Sequence, residues 1–528
     1  MKRRNALKWT LIGVGGGVGA IALGGAGTLA YIWNDSKLDT TGDIHFDNPL
    51  AIPPLAESTE DASGARVFNL DIQAGQVPFK DGRETETWGI NGAFLGPTIR
   101  AKRGEEVAFA VHNGLDEGTS IHWHGMHLPS VMDGGPHQEV EPDGVWTPQW
   151  TMNQPAATLW YHPHPHGRTG NHVLRGLAGM FIVDDDESEG LGLPAEYGVD
   201  DLPMIVQDRK FDGDNQFDDK GPAFSMQGFL GDEIMVNGTL GPYVDVTTRL
   251  VRLRLLNGSV SRLYNFGFSD DRPFSLIATD GGLLPTAWET DRLPLSPGER
   301  AEIIVAFEPG ESVVLRSYPA HAGYEGPLGR FNGADDRLDV CEFRAAETLT
   351  DETAIPETMG TAPDLADAEV AEERSFELSG FNQINGVSMD PQRIDFGVRE
   401  DTVEVWEVSN GDGFMHNFHV HDVQFQVLSV GGETPPEHLR GWKDTVQLLP
   451  HQPYRLAMRF ADYTDPNLPY MFHCHILAHE DSGMMGQFVV LGEGESIGQV
   501  PESGTVHSHG SAAAAARRRC PPGRPAGV

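Results

Sequence analysis

Three stretches of the chain repeat one pattern. "INGAFLGPTIRAKRGEEVAFAVHNGL" begins at Ile90, "VNGTLGPYVDVTTRLVRLRLLNGS" at Val236 and "INGVSMDPQRIDFGVREDTVEVWEVSNGD" at Ile384. Each carries Asn-Gly after an apolar residue, then an extended segment, then an alternating apolar strand that ends in a second Asn-Gly. Asn-Gly in this setting favours a tight turn with φ > 0. Alternation such as "VEVWEV" has the period of a half-buried strand. One strand–turn unit used three times implies three related β-sandwich domains. Short Val/Ile/Leu/Phe runs bounded by turn residues, with 63 Gly and 36 Pro in 528 residues, also favour sandwiches over helical bundles.

The first domain is expected over 65–187, the second over 200–345 and the third over 375–492. Residues 34–64 read as an irregular lead-in. Residues 346–374, rich in Ala, Thr, Glu, Asp and Pro, read as an acidic linker. Residues 493–528 read as a disordered tail, whose His507 and His509 are adventitious metal binders at most. Arg3–Arg4 precede an apolar, glycine-rich run from Trp9 to Trp33. These are the charged and apolar regions of an export signal over 1–33, and "RRNALK" partly resembles a twin-arginine signal. The run is also about long enough to span a bilayer, so an uncleaved anchor is the competing reading. Either places the body outside the cytoplasm, in the periplasm or at the cell surface.

The formal net charge of −39 argues against nucleic acid as a partner, because phosphate binding needs a basic surface. The three cysteines, Cys341, Cys474 and Cys520, lie far apart and cannot pair fully. A disulfide framework is therefore unsupported, and Cys474 is free to act as a ligand or a reactive thiol.

Histidine clusters follow the repeated unit in its first and third copies. They are His122 and His124 in "HWHG"; His162 and His164 in "WYHPHPHG"; His416, His419 and His421 in "HNFHVH"; and His473, Cys474, His475, His479 and Met484 in "HCHILAHEDSGMM". The matching region of the second copy, "RLYNFGF", has none, so the second domain reads as a spacer without ligands. Residues i and i+2 of a strand share a face. His-X-His then presents two imidazoles side by side, and four such pairs give eight. That is too many for one tetrahedral zinc and suits several metal ions. Cys474 faces away from its two neighbours. His416, at odd spacing from 419 and 421, can join it, with His479 and Met484 at loop-like spacing. Two imidazoles, a thiolate and a weak thioether are the donors of blue-copper electron transfer. His137 and His166 read as exposed or supporting residues rather than ligands.

All four clusters, in this order, resemble the multicopper oxidase family over about residues 65–492. "GWKDT" at Gly441–Thr445 and "DGGP" at Asp133–Pro136 are similar to its bacterial branch, near cuprous oxidases, laccases and bilirubin oxidases. The resemblance implies three cupredoxin-like Greek-key domains in an all-β chain, monomeric, with four coppers. It implies a type 1 copper on His416, Cys474, His479 and axial Met484. The type 2 copper would sit on His122 and His419, and the type 3 pair on His124, His162, His164, His421, His473 and His475. Asp133 and Glu480 match acidic positions that handle protons. A donor such as a phenol, Cu(I) or a bilirubin-like pigment would give electrons near the surface around His479. They would pass through Cys474, and O2 would be reduced to water. Asn417 stands where the family usually has Pro, and Asp422 where it often has Gly. A methionine-rich insert before the third-domain motifs, common in cuprous oxidases, is missing. The rival readings are a copper nitrite reductase, which lacks the full set of eight histidines, a copper-free cupredoxin-fold scaffold and a metal-buffering protein.

Overall fold

The computed structural model describes residues 33, 36–222, 224–320, 322–350, 353–360 and 365–501. The expected export signal, save Trp33, and the tail beyond Pro501 lie outside the described residues. The fold is almost wholly β, in three two-sheet units. In each unit the repeat does the same work. Asn91, Asn237 and Asn385 all take positive φ, at 55°, 51° and 55°. Each then clips the preceding strand by two side-chain bonds. Asn91 donates to the Asn69 carbonyl and accepts from the Asp71 N–H. Asn237 does so with Pro203 and Ile205, and Asn385 with Ser375 and Glu377.

The second Asn-Gly of each repeat is not a positive-φ turn. Asn113, Asn257 and Asn410 are instead buried brackets at the strand end. Each Nδ2 donates to two carbonyls, one nearby and one on a distant segment: Glu117 and Val140, Arg262 and Leu295, Phe414 and Leu448. A buried amide must have its partners, and here the partners pin the loop that follows the strand. In the first and third units, that loop leads into a histidine cluster.

Two parallel pairings recur in all three units and give a Greek-key-like crossover in place of a simple meander. Arg66–Val77 pairs parallel with Glu106–Asn113, Asp201–Arg209 with Leu250–Asn257, and Val370–Ser379 with Thr402–Asn410. In the facing sheets, Ile99–Lys102 pairs with Gly179–Asp184, Pro242–Thr248 with Leu338–Thr350, and Phe396–Arg399 with Met485–Leu491. Inward residues of the two sheets close a separate apolar core in each unit. These centre on Phe109 and Trp123, on Leu253 and Phe266, and on Trp406 and Phe472.

The connecting segments are more ordered than their composition suggests. In the lead-in, Asn48–Pro49 pairs with the second unit and Ser58–Glu60 with the first. The expected linker is shorter than 346–374: one strand runs on to Thr350, another begins at Val370, and Met359 and Leu365 between them are buried. Residues 493–501 are held to the third unit by Arg399 on the Glu495 carbonyl and by the Gly498 N–H on Pro466. In each case backbone pairing or an apolar anchor overrides a polar composition.

Where the first and third units meet, Asn153 Nδ2 donates to Asp462 Oδ2 at 2.7 Å. Burial pushes the Asp462 carboxyl from its ordinary 3.8 up to about 6. A folded-state value above the unfolded one stabilises fully below about pH 4, and that contribution is lost as pH rises through about 6. Asp462→Asn stays neutral and can still accept from Asn153. It should raise Tm by about 2–4 °C at pH 8, for roughly 1 kcal/mol, with no gain at pH 4. Paired calorimetric melts at the two pH values check this.

Candidate metal centre

Four histidines of the first unit and four of the third meet at the contact between those units, all buried. His122 and His124 share the strand His122–His124, as the alternation rule demands. The other three pairs straddle a strand end: the strands stop at His162, Val420 and His473. His164, His421 and His475 reach the cluster from the loops beyond. The two halves interlock by ring stacking across the contact. His122 lies on His421 and His124 on His419, each with centroids 3.8 Å apart.

The outward nitrogens are spoken for, save those of His164 and His475. Nδ1 of His122 meets the Asp133 carbonyl at 2.9 Å, that of His419 the Asp444 carbonyl at 2.8 Å, and that of His162 the Pro163 carbonyl at 2.8 Å. His421 Nδ1 donates to Asp133 Oδ2 at 2.8 Å, and His473 Nδ1 to the Cys474 carbonyl at 3.1 Å. Glu480 lies 3.2 Å from His473 Nδ1 and 3.5 Å from His164 Nδ1. His124 is reversed: its Nε2 faces Asp444 Oδ1 at 3.0 Å and Thr445 Oγ1 at 3.1 Å. His475 has no hydrogen-bond partner on either nitrogen.

The inward nitrogens therefore face one another. His473 Nε2 is 3.3 Å from His164 Nε2 and 3.2 Å from His421 Nε2, and His162 Nε2 is 3.4 Å from His124 Nδ1. His122 Nε2 and His419 Nε2 have no partner. A neutral imidazole carries one N–H, and those of His421 and His473 are spent on outward acceptors. Burial first, and the neighbouring imidazoles next, hold His122 well below the ordinary histidine value. What remains is a shell of lone pairs aimed at a common interior, the arrangement that bound cations satisfy. The six histidines expected at a type 3 pair divide by proximity. His164, His421 and His473 form one close group. His124 and His162 form another, with the His475 ring 4.9 and 5.2 Å from theirs.

A second site lies on the other face of residue 474. His416 and His419, three apart on one strand, point to opposite sides, so His416 joins Cys474 and His479. Cys474 Sγ lies 3.7 Å from His416 Nδ1 and 3.6 Å from His479 Nδ1, and the two Nδ1 atoms are 3.1 Å apart. Both outer nitrogens are capped, His416 Nε2 by Asp412 Oδ2 at 3.0 Å and His479 Nε2 by the Met226 carbonyl at 2.9 Å. Both Nδ1 atoms are thus acceptors facing each other across a thiol. Burial pushes His479 down to about 3 and Cys474 up to about 12, so neither charges readily without a metal. Met484 is fully buried in the same core, and its carbonyl accepts the Cys474 N–H. Donor type and orientation suit copper, with soft sulfur at one site and imidazole alone at the other.

The second domain is not a spacer. It supplies the Met226 carbonyl over His479. It also supplies Ser296 and Pro297, which receive Asn417 Nδ2, and Arg300, which forms a bidentate pair with Asp444 at 2.7 and 2.6 Å. Asn417, in place of the usual proline, thereby ties the second domain to Cys474, whose Sγ is 3.4 Å from Asn417 Oδ1. Asp422 sits at φ 72°, which explains why glycine suits that position and how Asp, which tolerates αL, replaces it. Sequence reading missed Asp444, Arg300 and Met226. Asp444 alone had a signal, the Asp of "GWKDT". His479 itself is buried, 1 % exposed, with its Nε2 on the Met226 carbonyl. His166 is exposed, and His137 Nε2 meets Gln487 Oε1 at 2.8 Å, so neither belongs to the cluster.

Multicopper oxidase family models match residues 71–188 and 360–493. The multicopper oxidase mco of Staphylococcus haemolyticus is 36% identical over 452 residues, covering 84% of this chain and 92% of that protein. The chain belongs to the multicopper oxidase family. Cell division protein FtsP of Xenorhabdus nematophila is as similar, 37% identical with the same coverage of 84% and 92%. Among solved structures, the laccase-like multicopper oxidase CueO of the lignin-degrading bacterium Ochrobactrum sp. superposes with a TM-score of 0.75. It is 36% identical, and the match covers 84% of this chain and 100% of that one. Membership of this copper-binding oxidoreductase family accounts for both donor sets.

Gly298, at φ 86°, packs against the unpartnered His475: a Cβ there would lie 3.0 Å from the ring. Gly298→Ala strains the backbone and pushes His475 out of line. It should lower copper affinity of the eight-histidine cluster about 10- to 100-fold, as loss of a ligand's support does, while the blue absorption expected of copper at Cys474 should persist. Metal analysis and visible spectra on one sample check this.

Proposed function

We propose that this chain oxidises aromatic, phenol-like donors one electron at a time at the Cys474 site and reduces O2 to water at the eight-histidine cluster. The observation that supports it is the position of Cys474. It belongs to one donor set, while His473 and His475, its peptide-bonded neighbours, belong to the other. Donor oxidation and O2 reduction then share one covalent run. Copper, when bound, supplies the redox chemistry at both sites. We assign His416, Cys474, His479 and Met484 to a type 1 copper, His122 and His419 to a type 2 copper, and the two triads to a type 3 pair.

The substrate reading rests on Phe381. It is 45 % exposed, stacks on Phe414 with centroids 5.7 Å apart, and lies 5.7 Å from the His479 ring. Since Met226 and Asp412 occupy the outer nitrogens, a donor meets this site ring to ring instead of by a hydrogen bond to His479. A flat aromatic donor suits that platform, and the Ochrobactrum relative has oxidase activity towards lignin model compounds. The described part of 346–374 offers Met359 alone as a thioether, and it is buried, which disfavours Cu(I) as the principal donor.

Asp133 and Glu480 are the proton-handling groups of this reading. Burial raises the Asp133 carboxyl well above its ordinary value. For Glu480, burial is outweighed by His164 and His473, so its carboxyl is held low. Both carboxyls lie against cluster imidazoles, Asp133 at His421 and Glu480 at His473, where protons must be delivered. The charged and apolar N-terminal segment, read as an export signal or an uncleaved anchor, supports a reaction outside the cytoplasm. A copper-free cupredoxin-fold scaffold is the second reading, since one similar protein is named for cell division and not for oxidation; the complete set of donors opposes it.

Oxygen-uptake kinetics with a methoxyphenol, Cu(I) and bilirubin test the proposal. Cys474→Ser should abolish both the blue band and O2 uptake. A fully copper-loaded wild-type protein without colour would sink it. Phe381→Ala should cut kcat/KM for the methoxyphenol about tenfold, the worth of one aromatic contact, with a smaller effect on Cu(I). Equal losses for the two donors would remove the aromatic reading.

A further inference from the structure

Arg300 is fully buried, and every N–H of its guanidinium is used. Nε donates to the Thr158 carbonyl at 3.0 Å, in the strand of the first domain that ends at His162. Nη1 donates to Asp444 Oδ1 at 2.7 Å and to the Gly298 carbonyl at 3.1 Å. Nη2 donates to Asp444 Oδ2 at 2.6 Å and to the Asp280 carbonyl at 3.0 Å. One side chain of the second domain thus grips all three domains.

Each grip leads to a cluster histidine. Asp444 Oδ1 receives His124 Nε2, which fixes the reversed tautomer that turns Nδ1 inward. The Asp444 carbonyl receives His419 Nδ1. Gly298 backs the ring of His475, which has no hydrogen bond of its own. Behind Arg300, Asp280 braces the same loop, accepting from the Asp444 and Thr445 N–H groups and from Lys443 Nζ at 2.9 Å.

We infer that Arg300 is a positioning residue for the eight-histidine cluster: the second domain sets the tautomer and aim of His124, His419 and His475 through it. This rests on the reading of those histidines as copper ligands. Only a planar fork serves both Asp444 oxygens and three carbonyls, so lysine is not equivalent.

Full-length Arg300→Lys and Asp444→Asn, singly and together, test it. Copper content, the type 2 electron paramagnetic resonance signal and the blue band are measured on each sample. The expected result is a retained blue band and about 10- to 100-fold weaker copper binding at the cluster in each single variant. The double variant should be no worse than the poorer single one, because both changes break one linkage. Wild-type copper content and type 2 signal in Arg300→Lys would overturn the inference. So would additive losses, or a parallel loss of blue band and cluster copper, which would mark a general packing role. If the wild-type chain binds no copper, the ligand reading fails instead, and that outcome is distinct from all of these.

Discussion

Everything in this molecule answers to one electrostatic demand: many imidazole lone pairs must converge in a dry interior. Each neutral ring has one N–H, so a lone pair turned inward leaves a proton to be placed outward, and six of the eight rings have an acceptor for it. The acceptors are backbone carbonyls for His122, His162, His419 and His473, a carboxylate for His421 and, through Asp444, for His124. Burial holds His122, His124, His162, His164, His419, His421 and His475 below the ordinary histidine value, and neutrality keeps their lone pairs available. Without that outer layer, the rings would turn to satisfy one another, and no cavity of uniform polarity would exist.

The same demand explains how much was legible from sequence. The donors were, since HxH spacing and the Cys between two His are local facts. The threefold β architecture was, because Asn-Gly and alternation are local too. The orienting layer was not. Asp444 touches His124 across 320 residues of chain, and Arg300 touches Asp444 across 144. Pairings at such separation leave no periodic trace in one sequence. The same holds for the Met226 carbonyl, which any residue type could have supplied. The second Asn-Gly pairs misled for a related reason: tertiary partners for the Asn113, Asn257 and Asn410 side chains, and not the dipeptide, decide their conformation.

The second domain shows how a ligand-free copy of a repeated unit can still shape a metal site. Its residues reach the histidine cluster by Arg300 and Gly298, and the thiolate site by Met226, Ser296 and Pro297. A buried arginine is costly to desolvate and tolerable only with complete pairing. Here the pairing partner is a residue that holds two cluster histidines, so the charge that secures the domain contact also secures the site.

The ring stacks of His122 on His421 and His124 on His419 carry a consequence for assembly. The shell of eight histidines is encoded half early in the chain and half near its end, with His164 and His473 309 residues apart, and the Cys474 shell lies wholly near its end. A nascent chain still missing its last stretch can hold neither shell. Cofactor acquisition is therefore an event that follows synthesis, and the order of the two is written into the gene by the distance between its halves.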